Sequence, residues 1–462
     1  MEVTALTVEQ MINEQRDFFY TGATKSVSFR KAQLERLKQA IKVHENEILH
    51  ALKLDLGKSE FEAYATEVGF ILDSIGYMSK HLDNWMEPEQ VKTPLHLQPA
   101  KSFVIREPYG SVLIIGPFNY PFQLIMEPLI GAIVGGNCAI VKPSETTPNV
   151  TKVIRTIIEE AFPSYYIRVV EGEREEVTAL IHASFDYIFF TGSVNVGKVI
   201  MKAASERLTP ITLELGGKSP AIVDQTANLD LAVKRIAWGK LMNTGQTCVA
   251  PDYVCVHESV KEEFMKKLIK TIRSFYGKDA LKSPDYGRIV SVQHFDRLAE
   301  IIKKESANIV TGGGMDRNER YIEPVVLDNI NWDSPSMEDE LFGPILPVIT
   351  YNDLPALLRQ IRKLPKPLSA YMFSENERAT NFFLEELPFG GGCINDTVSH
   401  VGSVYLPFGG VGTSGVNSYH GKTSFETFTH AKSILKKSTK LSTNVLFPPY
   451  GNKVNMVRTL LK

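Results

Sequence analysis

The chain has 462 residues, and at ~150 residues per domain this length predicts two or three domains with well-buried cores. Hydrophobic residues make up 43% of the sequence and charged residues 23%, which is typical of globular proteins and excludes a disordered or fibrous chain. The 51 basic and 53 acidic side chains give a net charge of −2, which argues against a general nucleic-acid binder. Four cysteines without a CxxC pair indicate no disulfide framework and favour a reducing compartment, so we expect a cytoplasmic protein.

Both ends of the chain and one internal segment bear on the location of the protein in the cell. An acid precedes the first base at the amino terminus, so we expect no secretory signal and a mature protein that starts here. The uncharged segment 108–126 has the length of a membrane span, but it contains three prolines and two glycines, and we predict a buried strand followed by a loop. Residues 431–462 hold seven bases and no acid, which predicts a solvated tail or an interface segment, with weak contact to anionic lipid as the alternative.

The pattern of apolar residues changes along the chain. They recur at the helical period in the first 80 residues, which we predict to be mostly helical. Beyond residue 100, short apolar runs alternate with segments of helical length such as 151–161 and 229–242. This alternation is typical of α/β units around a mainly parallel sheet. The runs predicted as strands are 111–115, 138–141, 167–170, 187–190, 211–215, 221–223 and 253–256.

A second set of strand-like runs predicts a second α/β domain, packed closely against the first around a cleft. Parallel sheets bind ligands at the carboxyl ends of their strands, where the segments 143–145 and 191–193 would lie. The second set comprises strands at 325–327, 345–350, 370–373 and 393–395, with helices near 290–305, 353–363 and 376–387.

Two glycine-rich segments are candidate phosphate loops. The GxGxxG string at 410–415 leads into no predicted helix, so we do not expect a dinucleotide loop there. The segment 192–198 follows a predicted strand and opens a helix, whose backbone amides suit a phosphate. It nearly matches the triphosphatase loop GxxxxGK[ST], but Val199 replaces the hydroxyl residue that ligates magnesium, which argues strongly against that enzyme class. A glycine-tightened turn without a ligand is the structural alternative.

Cys248 is the candidate nucleophile. It ends the polar segment NTGQTC (243–248), where a turn makes a thiol accessible to substrate, although a lowered pKa or a nearby base is needed for reaction. Upstream, Glu214 lies between two leucines, and burial there would raise its pKa and suit it to accept a proton at neutral pH. A structural cysteine and a salt bridge from Glu214 to Lys218 are the alternatives. The remaining cysteines are predicted to be inert core or supporting groups: Cys138, Cys255 and Cys393.

These segments resemble the NAD(P)-dependent aldehyde dehydrogenases. NTGQTC and LELGGK (213–218) are similar to the family's two signature sequences and stand at the family's usual interval. The segment YHGKTSFETFTH (419–430) and the lack of a long amino-terminal extension resemble the class 3 branch, which implies a homodimer. Further matching motifs, in the family's order, are GPFNYP at 116–121, KPSE at 142–145, FTGS at 190–193 and ELFGP at 340–344.

The resemblance implies an α/β fold with a Rossmann-like NAD-binding domain, a second α/β catalytic domain and a small β oligomerisation arm. The NAD(P)-binding domain would comprise residues 1–85 and 112–213, and the catalytic domain 214–397 would carry the nucleophilic cysteine. Residues 86–111 and 398–462 would form the oligomerisation and bridging segments and the tail.

The resemblance also implies a reaction, the oxidation of an aldehyde to a carboxylic acid. Cys248 would add to the aldehyde, and the side-chain amide of Asn119 with the backbone amide of Cys248 would hold the resulting oxyanion. Hydride transfer to the nicotinamide would leave a thioester, which a water activated by Glu214 would hydrolyse. The expected substrates are medium- or long-chain aliphatic or aromatic aldehydes.

For the cofactor, the resemblance implies NAD, with NADP also accepted. A carboxylate beside the adenosine ribose favours NAD, although the class 3 branch often accepts both cofactors. We expect no metal, because the ten histidines show no ligand spacing with the cysteines. The implied contacts are to the adenosine ribose from Lys142 and Glu145, to the pyrophosphate from Ser193, and to the nicotinamide ribose from Glu340, with Phe342 packing nearby. Gly192 is also implied as a cofactor-binding residue.

Three other functions are weighed against this one. A coenzyme A-acylating dehydrogenase of the same fold would pass the thioester to coenzyme A, but such branches typically lack a glutamate at the position of Glu214. A non-catalytic binding relative would not need Cys248, Glu214 and Asn119 together. A cysteine hydrolase would leave the cofactor motifs unexplained, and no histidine lies in a recognisable partner motif.

Overall fold

The computed structural model describes residues 4–440 and 447–461, and within them it shows an α/β fold with two large sheets and a smaller β arm. The helices are α1 (Ala5–Tyr20), α2 (Val27–Val43), α3 (Glu45–Leu56), α4 (Glu60–Ala63), α5 (Gly69–Met86), α6 (Gln123–Gly135), α7 (Pro148–Ala161), α8 (Arg174–Ile181), α9 (Val194–Ser205), α10 (Leu229–Leu241), α11 (Lys261–Tyr276), α12 (Val292–Lys304), α13 (Leu354–Ile361), α14 (Glu377–Glu386), α15 (Gly421–Thr427) and α16 (Val454–Leu460). The strands are β1 (Glu89–Val91), β2 (Ala100–Pro108), β3 (Ser111–Ile115), β4 (Cys138–Lys142), β5 (Ile167–Val169), β6 (Tyr187–Thr191), β7 (Ile211–Glu214), β8 (Pro220–Val223), β9 (Tyr253–His257), β10 (Ile309–Thr311), β11 (Met315–Asp316), β12 (Tyr321–Ile322), β13 (Val325–Leu327), β14 (Ile345–Tyr351), β15 (Ser369–Phe373), β16 (Gly391–Ile394), β17 (Gly415–Val416) and β18 (Thr429–Lys437).

The first sheet has the strand order β17-β7-β6-β3-β4-β5 and is parallel except for β17. Its side chains alternate between two cores: Val112 and Ile114 pack with helices α2, α5, α6 and α7, whereas Leu113 and Ile115 pack with α1, α8 and α9. The chain proceeds from β3 to β4 and β5 on one side and places β6 and β7 on the other. The topological switch point, where such sheets bind ligands, therefore lies between β3 and β6.

The second sheet has the order β10-β13-β14-β9-β8-β15-β16 and is parallel except for the β10–β13 pair. Helices α10 and α11 cover one face, and α12, α13 and α14 cover the other. Both predicted sets of α/β units are therefore confirmed. Every run between residues 111 and 256 that was predicted as a strand forms one, with ends that differ by at most one residue.

A three-stranded antiparallel arm, formed by β1, β2 and β18, projects beside the two sheets. Strand β18 pairs with β2 along its whole length, from Thr429 opposite Pro108 to Lys437 opposite Ala100. The first part of the basic carboxyl-terminal segment is therefore a paired strand and not a free solvated tail. Residues 441–446 and 462 of that segment lie outside the described residues. Within the part of the chain that the structure describes, no helix is both long enough and apolar enough to cross a bilayer.

The structure corrects one local prediction. Residues 108–126 were expected to form a strand followed by a loop, but α6 begins at Gln123 inside that segment. Every residue of α6 is buried, so the helix is apolar all round and lacks the amphipathic period that marks a surface helix. Pro128, in the interior of α6, also argued against a helix. The glycine string 410–415 leads into the short strand β17 and not into a helix, as predicted.

Candidate active site

Loops from both large sheets converge at the switch point. The loop after β3 carries Asn119, the turn after β6 carries Gly192 and Ser193, and β7 ends at Glu214. From the second sheet, the segment that precedes β9 brings in Cys248. Residues that are up to 129 positions apart in the sequence therefore meet at one edge of the first sheet.

One cavity opens along this edge, with a volume of about 220 Å³, and we call it the strand-end cleft. Lys142 and Glu145 lie outside its lining, at the end of β4, where the ammonium group and the carboxylate form an ion pair. The predicted site residues that line the cleft are Asn119, Gly192, Ser193, Glu214, Cys248, Glu340 and Phe342.

A second cavity of about 330 Å³ lies on the other side of the thiol, and we call it the helix-side cavity. Its lining is largely apolar and includes Phe70, Trp238, Met242 and Val401. The two cavities meet, because they share several lining residues. The shared residues are Leu124, Cys248, Phe408 and Tyr419.

The segment before the thiol has an unusual backbone. Asn243, Thr244 and Gly245 all adopt left-handed conformations, with φ of +49°, +56° and +77°. A Cβ atom at Gly245 would lie 2.2 Å from the carbonyl oxygen of Gly343, so only glycine fits there. The Gln246 side chain donates to the Asn243 carbonyl at 3.1 Å and closes the turn. Strain of this kind persists only where the surroundings hold it, and here it fixes the backbone conformation that precedes Cys248.

The environment of Cys248 favours the neutral thiol. Burial, together with the nearby carboxylates of Glu340 and Glu214, raises the pKa of Cys248 to about 12. Backbone amides at Cys248 and Val249 act in the opposite direction, since they lower the pKa by donating to the sulfur. A thiol must lose its proton to become a nucleophile, so a reaction at Cys248 needs a group that takes this proton.

Glu214 lines the same cleft as Cys248. Burial raises its pKa well above the usual range of a carboxyl group. Within residues 4–440 and 447–461, neither of its carboxyl oxygens has a hydrogen-bond partner, and the same holds for the buried hydroxyl of Thr191 beside it. Buried polar atoms are rarely left unpaired, so this edge of the cleft is built to receive a ligand or water.

Asn119 is fixed at both its backbone and its side chain. Its backbone carbonyl accepts from Nζ of Lys58 at 3.0 Å and from Nδ2 of Asn243 at 2.8 Å. Its own Nδ2 donates to the carbonyl of Gln246 at 3.0 Å. A side-chain amide carries two N–H groups, so one donor remains for a negatively charged oxygen near Cys248.

Comparison with known proteins identifies the family. A sequence profile of the aldehyde dehydrogenase family matches residues 1–434. The chain belongs to the aldehyde dehydrogenase family. It is 55% identical to the 4,4'-diaponeurosporen-aldehyde dehydrogenase of Staphylococcus aureus, over 98% of this chain and 99% of that one. It is 43% identical to the dimeric NADP-preferring aldehyde dehydrogenase of Canis lupus familiaris, over 93% of this chain and 94% of that one.

A solved structure agrees with this assignment. The substrate-bound state of Staphylococcus aureus AldH matches the fold with a TM-score of 0.97 at 55% identity, and the match covers 98% of this chain and 99% of that chain. The protein is accordingly an oxidoreductase of the aldehyde dehydrogenase family that uses NAD or NADP.

The strand-end cleft of this aldehyde dehydrogenase fits a dinucleotide. A Cβ atom at Gly216 would lie 1.9 Å from Oε2 of Glu340, so glycine is needed to admit that carboxylate. Burial and the charge of Asp252 raise the pKa of Glu340 to about 8, and a ribose hydroxyl is a suitable partner for it. Ser193 caps α9 by accepting from the amide of Val196 at 3.4 Å, which leaves the helix N-terminus beside the cleft for a phosphate.

Among the cleft residues that sequence reasoning missed are His294 and Arg297, which reach it from α12. The Arg297 guanidinium donates to the backbone carbonyls of Glu340, at 3.4 Å, and Leu341, and so holds the turn that presents the Glu340 carboxylate. The His294 ring lies 4.8 Å from that of Phe118. Their only sequence signal was an i, i+3 pair on an amphipathic helix, which is common on protein surfaces.

Proposed function

We propose that this aldehyde dehydrogenase oxidises its substrate by covalent catalysis at Cys248. The supporting observation is that the thiol lies where the two cavities meet. An aldehyde in the helix-side cavity and NAD(P) in the strand-end cleft would approach the sulfur from opposite sides. The Cys248 thiol gives its proton to solvent through the open cleft, the sulfur bonds to the carbonyl carbon, and the carbonyl π-bond breaks so that its oxygen becomes an oxyanion.

The free amide N–H of Asn119 and the backbone N–H of Cys248 hold that oxyanion. Preorganised donors of this kind stabilise the charge that develops in the transition state, and loss of one typically costs about 10²–10³ in rate. The two loops that carry these donors are joined by the bonds of Asn119 to Gln246 and Asn243. Their relative position is therefore set before the substrate arrives.

Collapse of the oxyanion restores the carbonyl bond and leaves a thioester on Cys248. Bound NAD(P) supplies the acceptor for the hydride that leaves the same carbon. Glu214, after its proton has passed to solvent through the open cleft, takes a proton from water, which attacks the thioester. The carbon–sulfur bond breaks, a carboxylic acid forms, and the thiol is restored. The buried carboxyl of Glu214, with its raised pKa, is a suitable base for this step.

For the substrate we propose medium- or long-chain aliphatic or aromatic aldehydes. The support is the apolar lining of the helix-side cavity, to which Phe70, Trp238 and Val401 contribute. The Staphylococcus aureus relative is named for 4,4'-diaponeurosporen-aldehyde, and this compound is therefore one of the aldehydes to test.

For the cofactor preference we propose NAD, with NADP also accepted, because Glu145 stands beside Lys142 at the end of β4. Both this residue pair and the residues Gly192, Ser193, Glu340 and Phe342 are proposed to contact the dinucleotide. We further propose a homodimer, supported by the exposed β1-β2-β18 arm and by the name of the dimeric relative. The four free cysteines support a reducing, cytoplasmic environment.

The described residues after β18, 438–440 and 447–461, are proposed to be solvated, with contact to an anionic lipid surface as the alternative. Helix α16 exposes Val454 and Met456, and the segment 431–462 carries bases without an acid. Co-sedimentation with anionic vesicles separates the two cases: binding that disappears on truncation after β18 would favour the lipid contact.

The decisive experiment compares two cysteine variants. Cys248→Ala should reduce aldehyde-dependent NADH formation by about 10⁴-fold or more, since it removes the nucleophile. Cys393→Ala is the matched control, because that half-buried thiol contacts His400 and lies in neither cavity, and it should retain the wild-type rate. An active Cys248→Ala enzyme would rule out the mechanism. Product analysis with and without coenzyme A completes the test, since an acyl-coenzyme A product would exclude hydrolysis as the final step.

A further inference from the structure

A lysine far from the catalytic motifs lies beneath the loop that carries Asn119. Lys58 follows Gly57, the left-handed residue that ends α3, and precedes the short helix α4. It is only 1% exposed, which is rare for lysine and requires compensating partners. The sequence motifs do not include it, and the mechanism above does not use it.

Lys58 contacts Glu67 and two residues of the loop that carries Asn119. Its Nζ forms an ion pair with the fully buried carboxylate of Glu67. The same Nζ donates to the backbone carbonyl of Asn119 at 3.0 Å and lies 3.9 Å from the ring centroid of Tyr120. A cation over an aromatic face is itself a favourable contact. The ammonium group thus contacts two successive residues of the loop.

Glu67 holds the other end of the same loop. Its second carboxylate oxygen accepts from the backbone amides of Phe122, at 2.9 Å, and Gln123, at 3.2 Å. These amides form the start of α6, where a carboxylate also interacts favourably with the helix dipole. The Lys58–Glu67 pair therefore fixes the chain from Asn119 to Gln123 at both ends.

The backbone carbonyl of Asn119 connects the Lys58–Glu67 pair to the proposed oxyanion site. The Asn119 carbonyl accepts from Lys58 and from Asn243, so both of its lone pairs are occupied and the peptide plane cannot rotate freely. The orientation of that residue decides whether its side-chain amide points at the oxyanion of the adduct formed on Cys248. Displacements of about 1 Å in such donors are known to cost on the order of 10² in rate.

We propose that Lys58 is a positioning residue for the oxyanion site: paired with Glu67, it holds Asn119 so that its amide meets the oxyanion. The inference rests on the role proposed above for Asn119. A buried ion pair is weak evidence of stability, because burial costs both charges their hydration, but it suits the fixing of one conformation. Lys58 acts on acylation through Asn119 and is not among the residues that line either cavity.

The test is a double-mutant cycle on Lys58 and Asn119, read by the rate of the first NADH turnover in stopped flow. Lys58→Met and Asn119→Ala should each slow this step by about 10²-fold, and the double variant should be little slower than Asn119→Ala alone. The dissociation constant for NAD should change less than about twofold in all three. Lys31→Met, which removes a surface lysine paired with Asp83, is the matched control and should leave the step unchanged.

The outcomes separate the two proposals. If Asn119→Ala keeps the wild-type rate, the proposed oxyanion role fails. If Asn119→Ala is slow but Lys58→Met is not, or if the two losses multiply, the oxyanion role stands and the positioning role of Lys58 is excluded. Should Lys58→Met fail to fold, Glu67→Gln replaces it in the same cycle, since glutamine keeps an acceptor for the Phe122 amide and removes the charge that holds Lys58.

Discussion

The strand-end cleft and the helix-side cavity meet at one thiol but are built from different parts of the fold. The cleft takes its polar groups from the ends of neighbouring parallel strands, with Asn119 after β3 and Glu214 at the end of β7. The cavity takes its apolar side chains from unrelated segments, including Phe70 on α5, Trp238 on α10 and Val401. The difference teaches that polar atoms at set positions, which a reaction requires, come from the strand ends, whereas an apolar wall, which can select a substrate by size, is assembled from unrelated segments.

The largest expected change in rate comes from a substitution in the strand-end cleft, and it tests the difference between the two cavities. Glu214→Gln should lower kcat by about 10²–10⁴-fold, because the water that hydrolyses the thioester loses its base. A burst of NADH in the first turnover that survives the substitution would place the defect after acylation. A variant with unchanged kcat would exclude Glu214 as that base. Glu206→Gln, at an exposed position after α9, is the matched control.

The same variant has a second consequence, for stability. Because burial raises the pKa of Glu214, the folded protein keeps a proton that the unfolded chain releases above about pH 4.3. The contribution of Glu214 to the free energy of unfolding therefore falls as pH rises from that value towards the raised pKa. Glutamine removes this dependence, so Tm of Glu214→Gln minus Tm of the wild type should grow between pH 5 and pH 8. A difference that stays constant over this range in thermal melts without cofactor would contradict the raised pKa.

A smaller effect is expected on the cavity side. Ala65 lies on a π-helical turn, Tyr64–Val68, and lines the helix-side cavity. Ala65→Trp should lower kcat/KM for long-chain aldehydes by about 10- to 100-fold through lost apolar space, with little change for propanal. Ala65→Ser controls for the position itself. Equal losses for long and short aldehydes would show that the cavity does not distinguish them.

The smallest effect concerns the choice of cofactor. Glu145→Gln should raise kcat/KM for NADP relative to NAD by roughly tenfold, since the carboxylate that repels the extra phosphate is gone. Steady-state kinetics with both cofactors and one aldehyde measure this ratio. Glu159→Gln, an exposed acid on α7, should leave the ratio unchanged. No shift at Glu145→Gln would place the ribose phosphate elsewhere.

Much of the fold could be predicted from the sequence because strands and amphipathic helices carry a local period. Hydrophobic periodicity did not predict α6, because a helix that is buried on all sides has no amphipathic period. This helix, which contains Gln123 and Pro128, lies next to the motif GPFNYP. The cleft was largely predictable, since a motif that follows a strand places its side chains at the sheet edge. His294 and Arg297 were not, because they approach this edge from a helix of the second sheet.

By itself, then, the sequence determined the alternation of strands and helices, the family motifs and the candidate residues Cys248, Glu214 and Asn119. Only the tertiary structure decided that two cavities meet at the thiol, and that Lys58 lies under Asn119, 61 positions away in the chain. The physical reason is the distance along the sequence over which each effect acts. Periodicity and strand-end chemistry act over a few residues, whereas a cavity wall or a buried ion pair exists only once distant segments pack together.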